Sequence, residues 1–188
     1  EIPIKMNFGV LAHEFGHAVF DLAFAEKDAN FYTTKNSKMD EALSSMNEGL
    51  SDYFSWMVTG RLDEFGASLD ILGEERVMPV DWKLSDLENN SSGEVCRGSF
   101  YCEGSLFSSS LHEIALLEEE TPISVGKAAF KGLSDIRQDW TDAEESGEFY
   151  FENLINHIQN NLTGDKVASC AIFKKWFDTE SVSGKIKC

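Results

Sequence analysis

The segment Leu11-Ala12-His13-Glu14-Phe15-Gly16-His17-Ala18-Val19-Phe20 sets two histidines four residues apart, with a glutamate directly after the first, inside an apolar run. Residues i and i+4 stand one above the other on a helix, so both imidazoles can reach a single ion. Neutral imidazole suits zinc, and a carboxylate one residue after the first ligand can face water at the metal without being a ligand itself. The pattern is H-E-x-x-H, and Glu14 is the candidate general base. The competing reading is a surface helix that carries two histidines at this spacing by chance. A third ligand, and partners that orient the imidazoles, would separate the two.

The residues that follow narrow the choice of third ligand. The pattern H-E-x-x-H-x-x-G-x-x-H is excluded, because Phe20 stands where its glycine would be and Ala23 where its last ligand would be. Asp21 is a poor ligand, since one further turn along the same helix carries it past the ion; it reads as a solvated or calcium-adjacent carboxylate. What remains is Ser44-Ser45-Met46-Asn47-Glu48-Gly49-Leu50-Ser51-Asp52-Tyr53-Phe54-Ser55. On a helix this stretch sets Glu48, with Asn47, Ser51 and Asp52, against an apolar flank of Met46, Leu50, Phe54 and Met57.

Asn47-Glu48-Gly49-Leu50-Ser51-Asp52 matches the N-E-x-x-S-D motif, and with H-E-x-x-H the chain resembles the thermolysin-like gluzincins; Met46 to Phe54 also resembles the corresponding segment of the fungalysins. The resemblance implies that Glu48 is the third zinc ligand beside His13 and His17. It further implies that Asp52 orients His13 and that Asn47 sits near His17, the alternative for Asn47 being an exposed helix amide. Three protein ligands leave one position open, as a catalytic zinc requires. Gly49 in mid-helix costs about 1 kcal/mol relative to alanine, a cost that makes sense if the two zinc helices approach closely there.

Two departures from the family pattern stand out. Glu48 follows His17 by 31 positions (48 minus 17), a longer separation than in thermolysin, which implies an insertion in the loop between the helices. In addition, little precedes His13, whereas in thermolysin-like enzymes an upstream β-rich lobe supplies the edge strand on which the peptide lies. The chain therefore reads as the helical zinc-binding part, with an upstream lobe or propeptide as a possible partner. The family also uses a His or Tyr before a helix-opening glycine to stabilise the oxyanion. Phe100-Tyr101-Cys102-Glu103-Gly104-Ser105 resembles that segment, making Tyr101 the candidate donor, with aromatic packing beside a cysteine as the alternative. His112 is followed by Glu113, but position 116 is Leu, so no second H-E-x-x-H exists. It reads as a helix residue beside Ser108 and Ser109, and His157 reads as a surface histidine.

With 33 acidic residues against 16 basic ones, the formal charge of -17 disfavours nucleic acid and anionic lipid as partners. No run approaches the ~18 apolar residues of a membrane span. Of the four cysteines none forms C-x-x-C or adjoins a histidine, so disulfides are favoured over a thiolate metal site, with buried free thiols as the alternative. Nearness in sequence pairs Cys96 with Cys102 and Cys170 with Cys188, which points to an oxidising, secreted or periplasmic setting.

The elements that must carry these residues read as helices. One is expected from about Asn7, its cap, to Ala25, with Leu11, Phe15, Ala18 and Leu22 on one face and Val10, His13, Glu14, His17 and Asp21 opposite. A second runs from a cap at Asp40 to Val58, with Gly60 as its stop. Residues 61 to 100 read as an irregular, loop-rich insertion. Further helices are expected over Glu103 to Glu119, Pro122 to Leu133 with Thr121 as cap, Glu145 to Leu162, and from Asp165 through Phe177. The fold class is mainly α, a helical zinc-binding lobe spanning 1–188 as one domain. The function expected is that of a zinc-dependent metallopeptidase, an endopeptidase acting on peptide or protein substrates, with one zinc ion per chain. Calcium is a secondary expectation from the acidic stretch Asp63 to Asp86. The rival reading is a non-catalytic, zinc-stabilised binding domain or pseudopeptidase.

Overall fold

In the computed structural model, which describes residues 7–25, 37–63, 77–89, 96, 99–146 and 151–187, helix starts follow the short polar side chains. Asn7 Oδ1 accepts Gly9 N–H at 3.0 Å and Val10 N–H at 3.4 Å, satisfying two of the free donors at the start of α1, Phe8–Ala25. Helix α2, Ser37–Thr59, begins before Asp40, which therefore lies inside the helix rather than at its cap. It stops at Gly60, whose φ of 72° is the left-handed conformation that closes a helix, with Gly60 N–H donating to Trp56 O at 2.7 Å.

The region read as irregular contains a short helix, α3, Leu84–Glu88. Its start is held from a distance: Ser85 N–H and Oγ donate to the Asp178 carboxylate at 2.9 and 2.8 Å, a partner that no local pattern reveals. Helix α4, Ser99–Ala115, starts ahead of Glu103, tied at its first turn by the Cys96–Cys102 disulfide. It gives way before Glu119 to turns in which Leu117 N–H bonds Ile114 O and Glu120 N–H bonds Leu117 O. Helix α5, Pro122–Ser146, opens with Thr121 and Ser124 bonding each other's backbone N–H at 3.0 and 2.8 Å. It runs well past Leu133, so Glu145 belongs to it and the next helix is shorter than expected: α6 is Phe151–Asn161. Asp165 Oδ1 caps α7, Lys166–Trp176, by accepting from Val167 and Ala168, and α8 is Glu180–Ser183. Among the described residues there are eight helices and no strand, a mainly α chain.

Helix α2 is the central element, packed by α1, α4 and α5. Its Leu43, Met46, Leu50 and Tyr53 are fully buried, against Leu106, Phe107, Leu111 and Ile114 of α4 and Val125 and Ala129 of α5. Tyr53 donates its hydroxyl to Pro122 O at 2.9 Å, and burial holds its pKa far above the usual phenol range. Three serines of α4 are accommodated by back-bonding: Ser105, Ser108 and Ser110 donate to Tyr101 O, Ser105 O and Phe107 O of their own helix. Leu154, Ile158 and Leu162 are buried as one stripe that packs α6 against α5. Cys170 is also disulfide-bonded; Cys188, its expected partner, lies outside the described residues. No described helix is long and apolar enough to cross a membrane.

The large apolar side chains of α1 lie outward, with Phe8 66%, Leu11 52%, Phe15 59% and Leu22 68% exposed, whereas Val10, Ala12, His13, Gly16 and Phe20 are buried. The inward face is small at the crossing because Gly16 there meets Ser51 of α2 too closely to admit a side chain. Accordingly Phe20→Ala should lower unfolding free energy by about 3–5 kcal/mol, while Leu22→Gln should change it by less than about 0.5 kcal/mol. Denaturant unfolding of the two variants checks this, and the reverse order would contradict the orientation of α1.

Candidate metal centre

The site forms where α1 crosses α2, and glycine sets the approach. A Cβ at residue 16 would lie 2.7 Å from Ser51 Cα and 2.9 Å from Ser51 Oγ, closer than carbon atoms tolerate. Gly16, between the two histidines, is therefore what lets their turn of helix settle onto the Ser51 turn of α2. Gly49 serves another contact: a Cβ there would collide with Gly104 O of α4. The close approach of the two histidine- and glutamate-bearing helices is at Gly16, and Gly49 instead admits α4.

At this crossing His13 is 2% exposed and its Nδ1 lies 2.8 Å from Asp52 Oδ1, itself a buried carboxylate. His17 Nδ1 lies 2.8 Å from Asn47 Oδ1 and 3.0 Å from Ser51 Oγ. Both imidazoles thus use Nδ1 towards α2 side chains, which fixes ring orientation and leaves Nε2 as the outward nitrogen. The Glu48 carboxylate meets both of these: Oε2 is 3.4 Å from His13 Nε2 and Oε1 is 3.8 Å from His17 Nε2. His13 thus has Asp52 at Nδ1 and Glu48 at Nε2, so that either a proton or a metal ion at Nε2 would join the ring to the Glu48 carboxylate.

The distances suit a metal. Donors bound at ~2.0–2.1 Å in tetrahedral array lie roughly 3.4 Å from one another, close to the His13–Glu48 separation. His13, Glu14 and His17 present donor atoms that all lie within 4.8 Å of one another, a spacing that one metal ion can span. Glu14 is the exposed member of that group and the half-exposed His17 borders it, so the open side of the cluster faces solvent. Among the described residues this is the one group of three metal-binding side chains that gathers so tightly, and Glu48, although near both Nε2 atoms, is not a member of it.

Of the other candidates, Tyr101 lies in the first turn of α4, with its ring centroid 4.1 Å from that of Phe100. Its helix touches the site through Gly104, where an added Cβ would lie 3.3 Å from Glu48 Cβ. Asp21 is partly exposed on α1. His112 is buried with its ring edge-on to Trp56 at 4.5 Å, and burial holds it below the usual imidazole range, against the pull of Glu113. His157 is half-buried on α6. Most of the stretch from Asp63 to Asp86 lies outside the described residues; Asp63 pairs with Arg61 at 3.5 Å and Asp86 accepts from Lys83 N–H at 2.9 Å. Ser51 as a hydroxyl partner of His17 was visible only as a member of the N-E-x-x-S-D stretch, and its role depends on the missing Cβ of Gly16. Comparison of the chain with protein-family models, curated proteins and solved structures finds no match.

Gly16→Ala would ordinarily stabilise a helix by roughly 0.5–1 kcal/mol. Here it should lower the unfolding temperature and weaken zinc binding together, because α1 must move off Ser51. A raised unfolding temperature with unchanged zinc affinity by titration would contradict the crossing described above.

Proposed function

We propose that the chain is the zinc-binding part of a peptidase of the thermolysin-like gluzincin type, with His13, His17 and Glu48 as ligands and Glu14 as general base. The observation that carries this reading is the convergence of two imidazole Nε2 atoms on one carboxylate, at 3.4 and 3.8 Å, while both Nδ1 atoms are engaged by Asp52, Asn47 and Ser51. A zinc ion held there would supply Lewis-acid polarisation of a scissile carbonyl and lower the pKa of water.

The remaining chemistry falls to the chain's own side chains. Asp52 accepts the Nδ1 proton of His13, keeping the ring in the tautomer whose Nε2 can ligate and raising its basicity. Asn47 and Ser51 hold His17 in the same way from two sides. Glu14, adjacent in sequence to His13 yet exposed, has the carboxylate that takes a proton from attacking water and later delivers it to the leaving amine. Tyr101 is the proposed oxyanion donor, supported by the position of its helix against Glu48.

The rival reading, a zinc-stabilised binding domain without catalysis, draws on the outward apolar face of α1, since exposed apolar patches of this kind often mark binding surfaces. One variant separates them. Glu14→Gln should retain about one zinc per chain by elemental analysis and lose hydrolysis of a fluorogenic peptide by at least ~100-fold. Undiminished hydrolysis in Glu14→Gln would remove Glu14 from its role; zinc retained undiminished in a His13→Ala, His17→Ala double variant would remove the metal assignment altogether.

A further inference from the structure

Helix α2 is approached from a second side at the level of Glu48, and again without an intervening side chain. A Cβ on Gly49 would lie 2.4 Å from Gly104 O, and a Cβ on Gly104 would lie 2.8 Å from Ser45 O and 3.1 Å from Gly49 N. The obstructing atoms are backbone, so neither clash could be relieved by turning a side chain aside. The same Cβ on Gly104 would lie 3.3 Å from Cβ of Glu48. The bare backbone of α4 therefore runs directly beside the stem of the Glu48 side chain.

Two further ties hold this turn of α4 in place. Ser45 Oγ, which lies 2.9 Å from Glu41 O of its own helix, is also 3.2 Å from Glu103 Oε2. Cys102, two residues before Gly104 and 2% exposed, is bonded to Cys96. Residues 102, 103 and 104 thus carry in succession a disulfide, a side-chain link to α2 and a backbone contact with α2. The consequence for Glu48 is geometric. Metal–ligand distances tolerate about ±0.2 Å. A methyl group at residue 104, 2.8 Å from Ser45 O where ordinary contact begins at 3.4 Å, would part the two helices by more than that. His13 and His17 are anchored separately, through Asn47, Ser51 and Asp52, so a displacement entering at Ser45 and Glu48 Cβ falls first on the carboxylate.

We propose that Gly104 is a positioning residue for Glu48: by admitting the bare backbone of α4 against α2, it fixes where the Glu48 carboxylate stands before the two Nε2 atoms. The proposal rests on the reading of Glu48 as a zinc ligand, and the experiment tells the failure of one from the failure of the other.

The experiment measures zinc affinity of the full chain by competition with a chromophoric chelator, with the unfolding temperature of each zinc-free protein alongside. Gly104→Ala should weaken zinc binding by about tenfold or more, the usual cost of disturbing a group that orients a ligand. Gly132→Ala is the control for a close glycine contact elsewhere, since a Cβ there would lie 2.9 Å from Ile158 Cγ1 and 3.1 Å from Ile158 N, between α5 and α6. It should lower the unfolding temperature and leave zinc affinity unchanged. With Glu48→Gln already in place, Gly104→Ala should weaken zinc by less than about twofold further, because the carboxylate that it positions is gone. Ser45→Ala inserts no atom and removes the link to Glu103; it should weaken zinc by a smaller factor, and it decides the matter if Gly104→Ala does not fold. Unchanged zinc affinity in Gly104→Ala and Ser45→Ala, with a loss in Glu48→Gln, would overturn the positioning role and leave Glu48 as a ligand. An equal loss from Gly104→Ala with and without the Glu48 carboxylate would overturn it as well. Zinc affinity unaltered by Glu48→Gln would overturn the proposal together with the reading on which it rests.

Discussion

The structure depends on how closely α1 can approach α2 at Gly16 and Ser51. Two histidines at i and i+4 are common enough on helices; what makes these two a site is that the turn between them carries no side chain where it meets α2. That contact brings Nδ1 of each ring against a partner on the opposite helix and sets both Nε2 atoms towards Glu48. Burying imidazole and carboxylate groups is unfavourable unless each is hydrogen-bonded. His13 and Asp52 meet that condition through each other, so the pair depends on the same crossing that brings it together.

The same reasoning explains which parts of the chain were legible in its sequence. Helix ends set by neighbouring residues were readable: Asn7, Gly60, Thr121 and Asp165 act where they were expected, because capping involves partners only two to four residues away. Ends set by distant partners were not, as with α3, whose start is held by Asp178, and α4, whose first turn is fastened by the Cys96–Cys102 disulfide. The grouping of Asn47, Glu48, Ser51 and Asp52 on one flank of α2 was likewise legible, since helical periodicity alone puts them there.

The inward face of α1 was not legible, for a related reason. Counting large apolar residues favours Leu11, Phe15 and Leu22 as the core face, yet the tertiary requirement is for small residues and imidazoles against α2. Only Phe20 is both large and buried on that face beyond the crossing. Gly49 was similarly matched to the wrong neighbour, because a glycine in mid-helix announces a close approach without saying which element approaches. Helix α2 has Leu50 and Tyr53 in the core and Glu48 against the two imidazoles, and a single helix can meet both environments because its faces repeat every 3.6 residues.

The central claim is that His13, His17 and Glu48 converge on one ion, and X-ray absorption at the zinc edge of the zinc-loaded protein addresses it most directly. The account predicts a first shell of nitrogen and oxygen at ~2.0–2.1 Å, with the outer-shell scattering of two imidazoles, that loses imidazole scattering in His17→Ala and changes in Glu48→Gln. A shell containing sulfur, or a spectrum unaltered by either substitution, would contradict it.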